Sequence, residues 1–170
     1  MILNFDAIKN TNLIDSPFPY MVVDNVINPD RLNSVISSFP EIESGGSFTL
    51  DSCNIEMQFK DLVDEIHHDE LRILLAEKFS INLDDAPIMI TLRGWSRLKD
   101  GRIHTDSKSK LLTMLIYMNE TWDSENGCLR VLNNESDMND FVEEVKPLAG
   151  TSIIFKVTDN CWHGYSPFEG

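Results

Sequence analysis

The sequence predicts a mainly β domain with helices ahead of it, α+β by the order of its elements. In the first half, apolar residues recur at helical spacing between capping and breaking residues. From Ala86 onward they fall into short runs separated by turn formers. Many short strands, with helices to cover one sheet, make a sandwich or jelly roll the expected architecture. A chain of 170 residues can bury one real core, so residues 1–170 are read as a single domain. Residues 17–85 form its helical support and 86–170 its jelly-roll core.

Taken in order, residues 1–16 read as a loosely structured lead-in. Pro17-Phe18-Pro19 then passes into a β-branched strand ending near Asp24. Asn28-Pro29-Asp30 supplies a helix N-cap followed by proline at the first helical position. That helix carries Leu32, Val35, Ile36 and Phe39 on one face and stops at Pro40. Ser44-Gly45-Gly46-Ser47 reads as a loop. A second helical region from Glu56 to Phe79 bears two apolar stripes, with a break at His67-His68. Adjacent helical side chains point about 100° apart, so those two histidines do not share a metal.

Strands are expected at Ile88–Leu98, Leu111–Met118, Leu129–Leu132, Asp140–Val145, Ser152–Val157 and Cys161–Tyr165. Asn126-Gly127, Asn133-Asn134, Pro147, Ala149-Gly150 and Asp159-Asn160 divide them. The continuous apolar run Leu111–Met118 suits a strand covered on both faces.

The hydrophobic and charged fractions, 42% and 25%, are ordinary for a soluble globular protein. A net charge of −14 argues against nucleic acid or an anionic membrane surface as the main partner. The cysteines are three, Cys53, Cys128 and Cys161, with no CxxC, so neither a disulfide framework nor a zinc ribbon is indicated. With no signal-peptide pattern at Met1-Ile2-Leu3 and no apolar run of membrane-spanning length, a cytoplasmic protein is expected. Helices at one end of a jelly roll make a homodimer an expectation by fold analogy.

The chemistry concentrates in Gly101-Arg102-Ile103-His104-Thr105-Asp106 and in Trp162-His163-Gly164. Residues two apart on a strand share a face, so His104 and Asp106 point the same way. His163 arrives 57 residues after Asp106, with several strands between. Two imidazoles and one carboxylate on one side of a metal form the facial triad of non-haem Fe(II) oxygenases, which leaves open coordination positions. Cys161, two residues before His163, is read as core.

From here the chain resembles the Fe(II)/2-oxoglutarate-dependent dioxygenases, and within them the prolyl-4-hydroxylase-like branch. The resemblance covers roughly residues 88–170, with the strand and helix of Pro17–Pro40 also similar. It is carried by His104-Thr105-Asp106, by Thr113-Met114-Leu115-Ile116-Tyr117-Met118-Asn119 with Trp122, and by Gly127-Cys128-Leu129-Arg130-Val131. Val145-Lys146-Pro147 with Ala149-Gly150, Ile153-Ile154-Phe155 and Trp162-His163-Gly164-Tyr165 complete it in the family order.

The resemblance implies a double-stranded β-helix, a cupin-like jelly roll. It implies Fe(II) held by His104, Asp106 and His163, with 2-oxoglutarate and O2 as cosubstrates. Decarboxylation to succinate and CO2 would accompany hydroxylation of a peptidyl residue such as proline, or of a small metabolite. Tyr117 matches a tyrosine that hydrogen-bonds the cosubstrate carboxylate, Leu129 an apolar residue lining its site, and Leu115 shares the parity of Tyr117.

The family places a basic residue for the distal carboxylate further beyond the second histidine than this sequence extends; Gly170 lies only seven residues past His163. That residue and a last strand are therefore expected outside this sequence, or Lys110, ahead of Lys156, supplies the cation. Arg97 and Arg102, flanking the turn before His104, are expected at the substrate. Two other readings stand beside this one: a cupin-like metal- or ligand-binding module without oxygenase activity, and a structural jelly roll whose triad does not converge.

Overall fold

The computed structural model describes residues 1–170. Its elements are α1 (Phe5–Asn10), β1 (Tyr20–Val23), α2 (Pro29–Ser37), β2 (Ser47–Thr49), a 3-10 turn (Leu50–Ser52), α3 (Met57–Ile66) and α4 (Asp69–Phe79). Then come β3 (Thr91–Arg93), β4 (Leu112–Ile116), β5 (Leu129–Leu132), β6 (Phe141–Val145), β7 (Ser152–Lys156) and β8 (His163–Gly164). Helices and antiparallel strands are mixed, and no helix is long and apolar enough to cross a membrane.

Three sheets form, in the orders β1-β7-β4, β2-β3 and β6-β5-β8. β7 is central in the first, pairing Ile153 with Val22 on one side and with Leu115 on the other. Alternation along these strands separates two cores. Met21, Val23 and Ile154 face the helices and join Ile8, Val35, Phe59, Leu62, Leu71, Leu75 and Phe79 in a cluster of 17 buried residues. Tyr20, Ile153 and Phe155 face the other way and meet Leu129, Val131 and Val145 of the β6-β5-β8 sheet in a cluster of eight. β4 obeys the same parity: Leu112, Met114 and Ile116 pack toward the helices, Leu115 and Tyr117 toward the second sheet. Both its faces are covered, although each of its residues is only partly buried.

The helices follow their local signals. Pro29 opens α2, and Phe39, just beyond its end, packs edge-to-face on Phe59 of α3 with ring centroids 5.3 Å apart. The break at His67-His68 is real: His67 Nδ1 bonds the Val63 carbonyl at 2.8 Å, and His68 caps α4 by accepting from the Glu70 amide. Both rings are occupied by the backbone at a helix junction.

Three segments differ from expectation. Residues 1–16 are not loose. Leu3 and Ile8 are fully buried, Asn4 caps α1, and Leu3 and Ile14 bridge to Ile27 and Tyr20. The Glu65 carboxylate accepts from the amides of Ile2 and Leu3 at 2.8–2.9 Å. These partners lie more than 60 residues away, beyond the reach of a local pattern. Ser44–Ser47 is not a free loop either, because β2 pairs with β3 and Gly45 bridges to Trp95. That approach needs Gly94, where a Cβ would fall 2.0 Å from the Ser44 carbonyl oxygen. The expected strand Ile88–Leu98 is regular only over Thr91–Arg93.

Candidate metal centre

His104 lies outside the regular strands and is held by a single antiparallel bridge to His163. The two exchange backbone hydrogen bonds, His104 N to His163 O at 2.9 Å and His163 N to His104 O at 3.0 Å. Val131 of β5 pairs with His163 from the other side, so His104 extends the β6-β5-β8 sheet by one residue. A close-set backbone makes this possible. At Gly164 a Cβ would lie 2.1 Å from the Arg102 carbonyl oxygen, so a side chain there would push the His104 segment away.

The bridge brings the imidazole rings to 4.3 Å between centroids. With Asp106 they offer three ligand atoms, all within 4.8 Å of one another. Each imidazole is oriented by the backbone: His104 Nδ1 bonds the Arg102 carbonyl at 3.1 Å, and His163 Nδ1 the Cys161 carbonyl at 2.8 Å. A carbonyl only accepts, so Nδ1 carries the hydrogen in both rings, and Nε2 of each is left for a metal. His163 is buried, its ring 4.7 Å from that of Phe155, whereas His104 is exposed. Burial holds the His163 imidazole below its usual pKa, which favours the neutral form that a metal requires.

Asp106 reaches this group from a segment with no strand pairing of its own. Its Oδ2 accepts from the Thr113 hydroxyl and from Lys110 Nζ at 3.2 Å. Burial would raise this carboxyl, but the Thr113 hydrogen bond and the Lys110 charge outweigh it and hold the pKa below its ordinary value. The group is an anion at neutral pH. Two imidazoles and one carboxylate fit a divalent iron with open positions.

Leu115 and Tyr117 pack against the inter-sheet cluster beside this centre, and Leu129 is part of it. Burial, with Cys128 and Tyr165 nearby, raises the Tyr117 phenol above its usual pKa, so it remains a neutral donor. Cys161 is fully buried in the same cluster, and all three cysteines are free. Lys110 is at the centre, but its ammonium rests on the Asp106 carboxylate. Arg97 is clamped by Asp100 through Nε at 2.9 Å and Nη2 at 3.1 Å. Arg102 bonds the Lys99 carbonyl at 2.9 Å. Both arginines therefore sit on the segment leading into His104, outside the triad.

Thr113, Gly164 and the carbonyls of Arg102 and Cys161 complete the site without standing out in the sequence. Thr113 and Gly164 did leave a signal, Thr113 by sharing strand parity with Leu115 and Tyr117 and Gly164 by following His163 in its motif. No curated protein matches this chain. Residues 93–170, which contain all three triad residues, match the family model of the 2OG-Fe(II) oxygenase superfamily, a family that uses Fe(II), 2-oxoglutarate and O2, and the match supports a 2-oxoglutarate-dependent oxygenase.

Proposed function

We propose that the protein is an Fe(II)- and 2-oxoglutarate-dependent hydroxylase of the prolyl-4-hydroxylase-like branch, built on a double-stranded β-helix. The observation that carries this reading is the convergence of His104, Asp106 and His163 within 4.8 Å, both Nδ1 atoms being spent on backbone carbonyls. The jelly-roll reading is supported by two antiparallel sheets that share one apolar cluster, the second extended by His104.

In this reading His104, Asp106 and His163 hold Fe(II). With 2-oxoglutarate and O2 the bound metal supplies C–H hydroxylation coupled to release of succinate and CO2. Tyr117 donates its hydroxyl to the cosubstrate carboxylate, while Leu115 and Leu129 give that site dry walls. The prime substrate is a peptidyl residue such as proline, or a small metabolite. Of the 14 Lys and Arg residues, Arg93, Arg97, Lys99, Arg102, Lys108 and Lys110 lie within residues 93–110 beside only two acidic residues, and all six are exposed. Arg97, Lys108 and Lys110 are paired with Asp100, Asp159 and Asp106. That leaves Arg102 the freer of the two arginines proposed to hold negative charge on the substrate, Arg97 having to leave Asp100 to join it. Free cysteines agree with a cytoplasmic location.

One observation favours a second reading, a cupin-like metal-binding module without oxygenase activity: Lys110 is engaged by Asp106 instead of standing free for a distal carboxylate. The two readings separate in one assay. Protein loaded anaerobically with Fe(II) is given 2-oxoglutarate and then O2, and succinate is measured beside a His104→Ala control. Succinate that vanishes in the variant establishes the oxygenase; metal binding with no succinate leaves the module.

A further inference from the structure

Asp106 offers two carboxylate oxygens, and the protein engages only one. Oδ2 receives the Thr113 hydroxyl and the Lys110 ammonium, whereas Oδ1 takes no protein hydrogen bond. The two donors differ in kind. Lys110 is about half exposed at the end of a long flexible side chain, so water and salt weaken its grip. Thr113 is β-branched, partly buried and set in a strand whose backbone is fixed on β7.

The register gives Thr113 a second tie to the centre. It pairs across the ladder with Phe155, and the Phe155 ring packs on that of His163 at 4.7 Å. The Asp106 carboxylate and the buried imidazole are thus referenced to the same pair of residues. Asp106 has no ladder of its own. Without the hydroxyl the carboxylate could rotate, and either oxygen, or both, could turn toward a metal.

We propose that Thr113 is a positioning residue: its hydroxyl occupies Oδ2 so that Asp106 meets the metal through Oδ1 alone. The proposal rests on the metal-centre reading above and adds a residue outside the triad to it. Partners that orient metal ligands typically change affinity by about 10–100-fold when removed, and a similar loss is expected here.

The test titrates metal-free protein with Co(II), following affinity by calorimetry and coordination by visible absorption. Wild type, Thr113→Val, Thr113→Ser and His104→Ala are compared, with thermal unfolding of each metal-free variant as a check on folding. The expected result is about 10–100-fold weaker Co(II) binding and an altered absorption band for Thr113→Val. Thr113→Ser, which keeps the hydroxyl, returns both toward wild type. Thr113→Ala gives the same comparison should the valine variant fold poorly. If the variants lacking the hydroxyl bind within twofold of wild type, with the same spectrum, while His104→Ala loses binding, the proposal falls and the metal centre stands. If wild type itself takes up no Co(II), the metal centre falls and the proposal with it.

Discussion

The two faces of the β1-β7-β4 sheet follow different rules. The helix-covered face closes over 17 buried residues, all apolar, drawn from all four helices and three strands. The face toward the second sheet closes over only eight and runs out into His163, Asp106 and Tyr117, which are polar and in part open. Apolar burial is non-directional and tolerates approximate fit, so the first face can supply stability with little regard to exact placement. The second must set donor atoms at fixed separations, and it does so with backbone hydrogen bonds and a glycine. Support and chemistry are separated across one sheet.

Substitutions on the two faces should therefore have different signatures. The largest stability effect is expected on the helix side: Phe59→Ala removes a buried ring and should cost about 3–5 kcal/mol, read in denaturant unfolding. Metal affinity of the protein that stays folded should be unchanged, and a tenfold loss of affinity would break the separation. Next comes Gly164→Ala on the site side. The clash with the Arg102 carbonyl should cost roughly 1–3 kcal/mol and, unlike Phe59→Ala, should also weaken metal binding by displacing His104.

A smaller effect is expected from pH. Because His163 is buried with a lowered pKa, the unfolded chain takes up its proton first as the solution is acidified. Its contribution is fully present above the unfolded value of about 6.5 and is lost as pH falls through the lower folded value. The melting temperature of metal-free protein should drop over that window, and His163→Gln should flatten that part of the profile. The smallest effect on the centre is expected at Arg130, which points away from it. It pairs with Glu144 at 2.6 Å and lies over the Phe141 ring. Arg130 also bonds the Met138 carbonyl and Asn139 and is largely buried, so Arg130→Ala should cost about 1–2 kcal/mol but leave succinate formation intact; a large loss of turnover would bring this surface into the function.

Helix boundaries were legible because their causes are local. Pro29, the apolar stripes of α3 and α4 and the His67-His68 junction need only neighbouring residues to take effect. From Leu111 onward the strand series was legible for the same reason, since parity and turn formers lie within each segment, whereas β2 was missed and β3 was drawn too long. Legibility failed where the partner is remote. Glu65 straps down residues 2 and 3, and Gly94 admits Ser44, over separations that no periodicity spans.

Within the metal centre the division is sharper. The three candidate ligands, which the structure brings within 4.8 Å of one another, were legible as residue types, because His104, Asp106 and His163 stand in short motifs. Their meeting was not. It rests on one backbone bridge across 59 residues, on the missing side chain of Gly164 and on a Thr113 hydroxyl from another strand. The sequence by itself determined which groups could bind a metal and which faces would be apolar, since both follow from side-chain type and spacing. The tertiary structure alone decided which atoms of those groups face one another, because that depends on register between strands distant in the chain.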